Sequence, residues 1–276
     1  MSAVRTPSVP LRPLTVGELL DAAAEVTRGA APALLPVAAV LAAAEQVLMV
    51  GLRTEFFDGS VFPGVSDLIG DAWFAVAVGF GTEVMIISLL GLIAGRAAAA
   101  GAVGGSLRPA QLLSGRSLPA GVALAMLNGL IVFAVGLLPL GWLLAYPLMG
   151  MATAALVIDG TAAGRSWLRG IALGTRSGGR GAAIRLLGYL SWLMARLAFG
   201  LGSVAGLQSL GIVPGGPVNP WVSAGFLFVI NTVAYASLAS LDAVLLIETR
   251  IRTEGLDIAL TRKPGDLEPE DLAVVR

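Results

Sequence analysis

A chain of 276 residues that is 56% hydrophobic and only 13% charged, with a mean hydropathy of +0.85, is too apolar for a soluble domain and too long for a single anchor. It predicts an all-α polytopic membrane protein with six transmembrane helices and short amphipathic surface helices. Formal net charge is zero, which gives no reason to expect a nucleic-acid partner, and the absence of both cysteine and histidine removes disulfides, thiolate metal sites, Cys or His nucleophiles and histidine proton relays.

Residues 1–13, MSAVRTPSVPLRP, are Pro-rich and polar without an apolar h-region, so no cleavable signal peptide is expected and the start is placed in the cytoplasm. Thr15 followed by Glu18 has capping-box spacing. Val16, Leu19, Leu20 and Ala23 against Glu18, Asp21 and Glu25 give an apolar and an acidic face, predicting a short amphipathic helix over 15–29 within an N-terminal segment 1–30. That helix rests on the bilayer surface or the bundle, or docks its acidic face on the arginine-rich segment described below.

Segments near the roughly 20 residues that cross hydrocarbon follow at 31–52, 72–95, 118–138, 141–158, 183–206 and 221–247, within a membrane domain 31–248. The third and fourth are separated only by Pro139, Leu140 and Gly141, so a tight hairpin competes with a single kinked segment. RPLTVGELL, LRPAQLLSG and GRSWLRGIAL precede the first, third and fifth spans, as if a short amphipathic piece fed each of three hairpins. The charged tail, 249–276, is expected to continue the sixth helix for a turn or two and then to be solvated.

Charge segregation sets the orientation. Arg165, Arg169, Arg176, Arg180 and Arg185 crowd one connection between two spans, and cationic connections stay on the cytoplasmic side. With both termini cytoplasmic, sixteen of the eighteen cations fall inside; Arg53 is external and Arg196 lies within a span. The first external loop carries Glu55, Asp58, Asp67 and Asp71, and Trp73, Trp142 and Trp221 are expected as interfacial anchors near the outer ends. The arginine-rich, Ala- and Gly-rich composition suits the cytoplasmic membrane of a bacterium with GC-rich coding.

Polar residues inside spans are the candidate functional groups, because a charge at mid-depth costs at least about 2.5 kcal/mol on insertion scales. Counting helical rise places Glu83, Arg196, Asn128 and Asn231 near the bilayer centre. Glu83 and Arg196 are expected to form an ion pair with the two asparagines as hydrogen-bonding neighbours. Glu45 and Gln46 fall toward the outer half of the first span, and Asp242 and Glu248 toward the cytoplasmic side of the sixth, where Asp242 could meet Arg96 or Arg185.

These groups could orient helices or line a path for a solute or ion. No catalytic residues, cofactor or metal are assigned, since intramembrane hydrolysis wants paired aspartates, a serine with a base or a histidine cluster. GTRSGGRG, 174–181, lacks the Lys-Ser/Thr ending of a phosphate loop and is expected to be a flexible turn; GRSWL lacks the second glycine of a nucleophile elbow. Gly91 with Gly95 and Gly202 with Gly206 have GxxxG spacing, and PGGPVNP, 214–220, reads as an external loop.

Three stretches in order, RPLTVGELLDAA, LVIDGTAAGRSWLRGIALGTR and LLIETRIRTEGLDIAL, resemble the bacterial membrane-domain family named glycerophosphoryl diester phosphodiesterase membrane domain, abundant in actinobacteria. Asp159 before Arg165, Ser166 and Trp167 is similar to that family's acidic residue before an Arg-Ser-Trp run, whereas the middle of the chain departs from its pattern. In the phosphodiesterases the chemistry belongs to a separate soluble barrel with a histidine pair and a metal. The resemblance therefore implies a six-helix membrane module without that chemistry. The expected function is a non-catalytic scaffold or accessory subunit of an envelope complex, with lipid, other membrane proteins or a second copy as partners; the alternative is a small transporter for a lipid or small solute.

Overall fold

In hydrocarbon a backbone N–H or C=O finds no water, so a long apolar run must pair these groups within itself, as a helix does. The structure, a computed structural model, describes residues 7–56, 70, 72–212 and 219–273. Among these the regular structure is helical throughout: α1 (Val16–Phe56), α2 (Ala72–Ala102), α3 (Pro109–Leu113), α4 (Leu118–Gly136), α5 (Gly141–Met149), α6 (Met151–Ile158), α7 (Ala163–Ser209), α8 (Pro220–Glu254), α9 (Leu256–Thr261) and a 3-10 turn at Pro269–Leu272. Six spans are long and apolar enough to cross a membrane: α1, α2, α4, α5 with α6 as one unit, α7 from Gly178 onward, and α8. The chain is a multi-pass α-helical membrane protein.

The surface helix expected over 15–29 does not stand apart from the first span. α1 is one helix of 41 residues, about 60 Å long and twice the hydrocarbon thickness. The buried stripe Leu19, Ala23, Val26, Ala30, Ala33 runs unbroken across the expected boundary, so packing carries the helix past Pro32 and Pro36. Its acidic face does not meet the arginine-rich segment either. Glu18 takes Arg12 at 2.6 Å, and Glu25 takes Arg28 at 2.5 Å.

α8 is the hub of the bundle, packing on α1, α2, α6 and α7. Glycines set the closest helix approaches. At the α2–α4 crossing a Cβ on Gly129 would stand 2.7 Å from the Gly81 carbonyl oxygen, and at the α2–α6 contact Gly91 faces Thr153 and Gly95 faces Val157. Gly202 and Gly206, by contrast, face open space on α7.

The third and fourth spans are separate. α4 ends at Gly136 and α5 begins at Gly141, with Leu140 at φ 66° in the left-handed region. A Cβ on Gly141 would strike the Val135 carbonyl oxygen, so glycine is what lets the chain reverse in so few residues. The other glycine-dependent feature is in α7. GTRSGGRG is no free loop: helix runs to either side, and only Gly178 and Gly179, at φ 68° and 76°, break its hand where the span begins. The five arginines thus sit on one helix.

Both ends of the described chain meet at one end of the bundle, where the Leu14 carbonyl accepts from Arg180 and Arg252, and the Leu272 carbonyl accepts from Arg250. At the opposite end Trp73 donates to the Gly136 carbonyl at 2.8 Å and Trp221 is exposed. Trp142 is not an interfacial anchor; it is buried, stacked on Phe80 with ring centres 4.4 Å apart. Arg5, Asp58, Asp67, Asp71, Arg276 and most of PGGPVNP lie outside the described residues.

Candidate functional site: a polar column through the bundle

Two antiparallel helices carry polar groups at matching intervals. Arg185, Tyr189 and Arg196 on α7, and Asn231, Tyr235 and Asp242 on α8, are spaced by four and then seven residues, which puts each set on one helical face. Because α7 and α8 run in opposite directions, Arg185 meets Asp242 toward the arginine-rich end and Arg196 lies level with Tyr235 deeper in. α1 adds Glu45, Gln46 and Arg53, and α2 adds Thr82 and Glu83.

The deeper layer has two carboxylates and one guanidinium. Arg196 is ion-paired with Glu83, whose other oxygen accepts from Tyr189 at 2.6 Å. The guanidinium carbon of Arg196 lies 5.3 and 5.6 Å from the ring centres of Tyr189 and Tyr235. Glu45 is separate from this pair: it accepts from Tyr235 at 2.7 and 2.9 Å, Asn231 at 3.2 Å, Thr82 at 3.3 Å and Gln46 at 3.4 Å. Gln46 in turn accepts both arms of Arg53, at 3.1 and 3.2 Å, which carries the column toward the end of α1.

Nearer the arginine-rich end, Arg185 donates to Asp242 at 2.6 Å and lies over the Tyr146 ring at 3.9 Å; both charged groups are buried. A Cβ at Gly150, between α5 and α6, would run into this guanidinium, so the break between those helices is where the pair is housed. Of the two expected partners for Asp242, Arg185 is the one the fold supplies. Arg96 instead donates to the Leu112 carbonyl at 2.7 Å and to Ser117 at 3.2 Å.

The column ends in an ionic network of five guanidinium groups and three carboxylates. Asp159 takes Arg169 and Arg250, Glu254 takes Arg169, Arg176 and Arg250, and Glu248 takes Arg180 and Arg252. Burial pushes the Asp159 carboxyl above its ordinary range, against the pull of Arg250 and Arg169. Arg165 is exposed and makes no ion pair with the described residues.

No family model, curated protein or solved structure matches this chain. Its site is therefore read from its own geometry.

Of the residues singled out by sequence, Glu83 and Arg196 come together, and Glu45 is joined to Asn231. Asn128 is not a neighbour of either group. It donates to Ser88 and to the Met149 carbonyl, each at 3.1 Å, and accepts from Trp167 at 3.1 Å, tying α2, α4, α5 and α7 together. Residues that sequence reasoning did not place at a site are the chain's three tyrosines, all on the column, together with Arg250, while Asp159 and Trp167 entered it only through the family resemblance. A signal was present: tyrosine is scarce in this chain, and each one falls inside an apolar span, where its hydroxyl must find a partner.

Chemically, the arrangement cross-braces helices with bonds that hydrocarbon strengthens. Among the described residues no group of three or more acidic side chains is placed to hold a metal ion.

Proposed function

We propose that the chain is a non-catalytic scaffold or accessory subunit of a bacterial envelope complex, seated in the cytoplasmic membrane with both ends in the cytoplasm. The observation that carries this reading is the packing of the polar column. Asn128, Asn231 and Arg196 are at most 4% exposed, and their partners are side chains and carbonyls of the same chain. Polar groups buried against one another hold helices at fixed crossings. The fifth span supports the same reading, since its most apolar 18-residue stretch is only 11% buried within the chain, leaving Leu187, Leu190, Met194 and Leu201 for lipid or a neighbouring subunit. The clustered arginines support the orientation. The resemblance to the phosphodiesterase-associated membrane domain supports an auxiliary role.

The chain has no cysteine, so single thiols can be introduced without background. In membranes, Asn231→Cys and Ser88→Cys are expected to resist a water-soluble maleimide from both faces. Rapid labelling of either from one face would support the transporter reading instead.

A further inference from the structure

We propose that Glu45 is a proton-binding site, carrying a bound proton as a neutral carboxylic acid in the folded protein. Glu45 is 5% exposed and lies well inside the first span. The charged and titratable groups that surround it come from four helices: Glu83 on α2, Arg196 on α7, Tyr235 on α8, and Arg53 on its own helix. Of the two nearby cations, Arg196 is committed elsewhere, because it is ion-paired with Glu83. Among the described residues, the hydrogen bonds of Arg53 go to Gln46 and not to Glu45. Every hydrogen bond that Glu45 receives comes from a neutral group: a phenol, two amides and a hydroxyl.

Ionised, Glu45 would be a buried carboxylate held only by neutral donors, its charge unmatched by any cation in contact with it, in a medium that solvates charge poorly. Binding one proton from water removes that charge and changes nothing else in the chain's covalent structure. The new O–H also has an acceptor waiting. The amide oxygen of Asn231 is buried and takes no hydrogen bond from the described residues, while its nitrogen donates to Glu45 Oε2 at 3.2 Å. Turning that amide over presents its oxygen to a protonated Oε2, and Tyr235 continues to donate to Oε1 at 2.9 Å. Glu83 has no such arrangement, since both its oxygens are held by donors, one of them a cation. The site stands whether or not the chain serves as a scaffold.

The test combines infrared spectroscopy of the full chain in lipid nanodiscs at neutral pH with thermal unfolding of two isosteric variants. The wild-type protein should show a protonated-carboxyl C=O band that Glu45→Gln abolishes. Glu45→Gln, which replaces a neutral acid by a neutral amide, should unfold at the wild-type temperature, whereas Glu83→Gln, which strips Arg196 of its counter-ion, should unfold lower. The proposal is overturned if the wild type lacks the band, if the band survives in Glu45→Gln, or if Glu45→Gln fails to fold or unfolds as early as Glu83→Gln.

Discussion

Arg196 is held by one carboxylate and two aromatic faces, and this decides what its replacement does. Reversing either member of the Glu83–Arg196 pair leaves two like charges in the span, and breaking a buried pair typically costs about 3–5 kcal/mol. Glu83→Arg and Arg196→Glu should each sharply reduce the yield of folded protein in detergent, and the exchange Glu83→Arg with Arg196→Glu should recover part of it. A double variant no better than the singles would show that the two side chains do not act as a pair. Asp159 makes a second prediction at this scale. Its carboxyl is raised by burial, so the folded chain keeps a proton that the unfolded chain has released. Stability therefore falls as pH rises from the ordinary carboxylate range, about 4, through the higher folded value. Asp159→Asn should flatten that slope in unfolding experiments run across this range; an unchanged slope would rule out Asp159 as its source. Depth was legible for these residues because helical rise is fixed, which is how Glu83 and Arg196 could be matched. Azimuth was not. Helical rise puts Asn128 and Asn231 at similar depth, yet one faces Ser88 and the other Glu45, since rotation about each helix axis is set by packing that a single sequence does not display.

Helix crossings depend on side chains that are missing rather than present. α2 and α4 approach through Gly81 and Gly129, and Gly129→Val would drive a branched side chain into the Gly81 carbonyl and the Met85 Cβ, which stands 2.8 Å from where the new Cβ would lie. A loss of about 1–3 kcal/mol is expected, read as an earlier unfolding midpoint in detergent. The same change at Gly202, which faces open space, should be close to neutral, and equal effects at the two sites would contradict this packing. The two GxxxG spacings were indistinguishable in sequence. Gly91 and Gly95 fall under α6, and Gly202 and Gly206 fall under nothing, because the motif states a possibility of approach and not a partner. Boundaries were similarly mixed. The break between α4 and α5 was one of two readings that Pro139 and Gly141 allowed, whereas the fusion of the N-terminal helix with the first span was not anticipated, since the stripe from Leu19 to Ala33 had equal claims to rest on lipid or on α8.

Across the whole molecule, α8 gathers the other helices and the polar column follows it from Asn231 to the ionic network around Glu248 and Glu254. The network also fastens the segments before α1 and after α9 through the carbonyls of Leu14 and Leu272, so one end of the bundle is closed by arginine. Composition alone made the membrane class legible, whereas arginine counts supply an expectation of sidedness. What the network binds together was not legible, because main-chain acceptors carry no mark in sequence. The central claim is that this arginine-closed end faces the cytoplasm and that the helices thread the bilayer from it. Alkaline phosphatase fusions in a bacterial host test it most directly. Fusions at Gly105, Gly160 and Gly265 should be inactive, and those at Leu138 and Gly211 active. The reverse pattern, or activity at neighbouring sites on both sides of any span, would contradict the account.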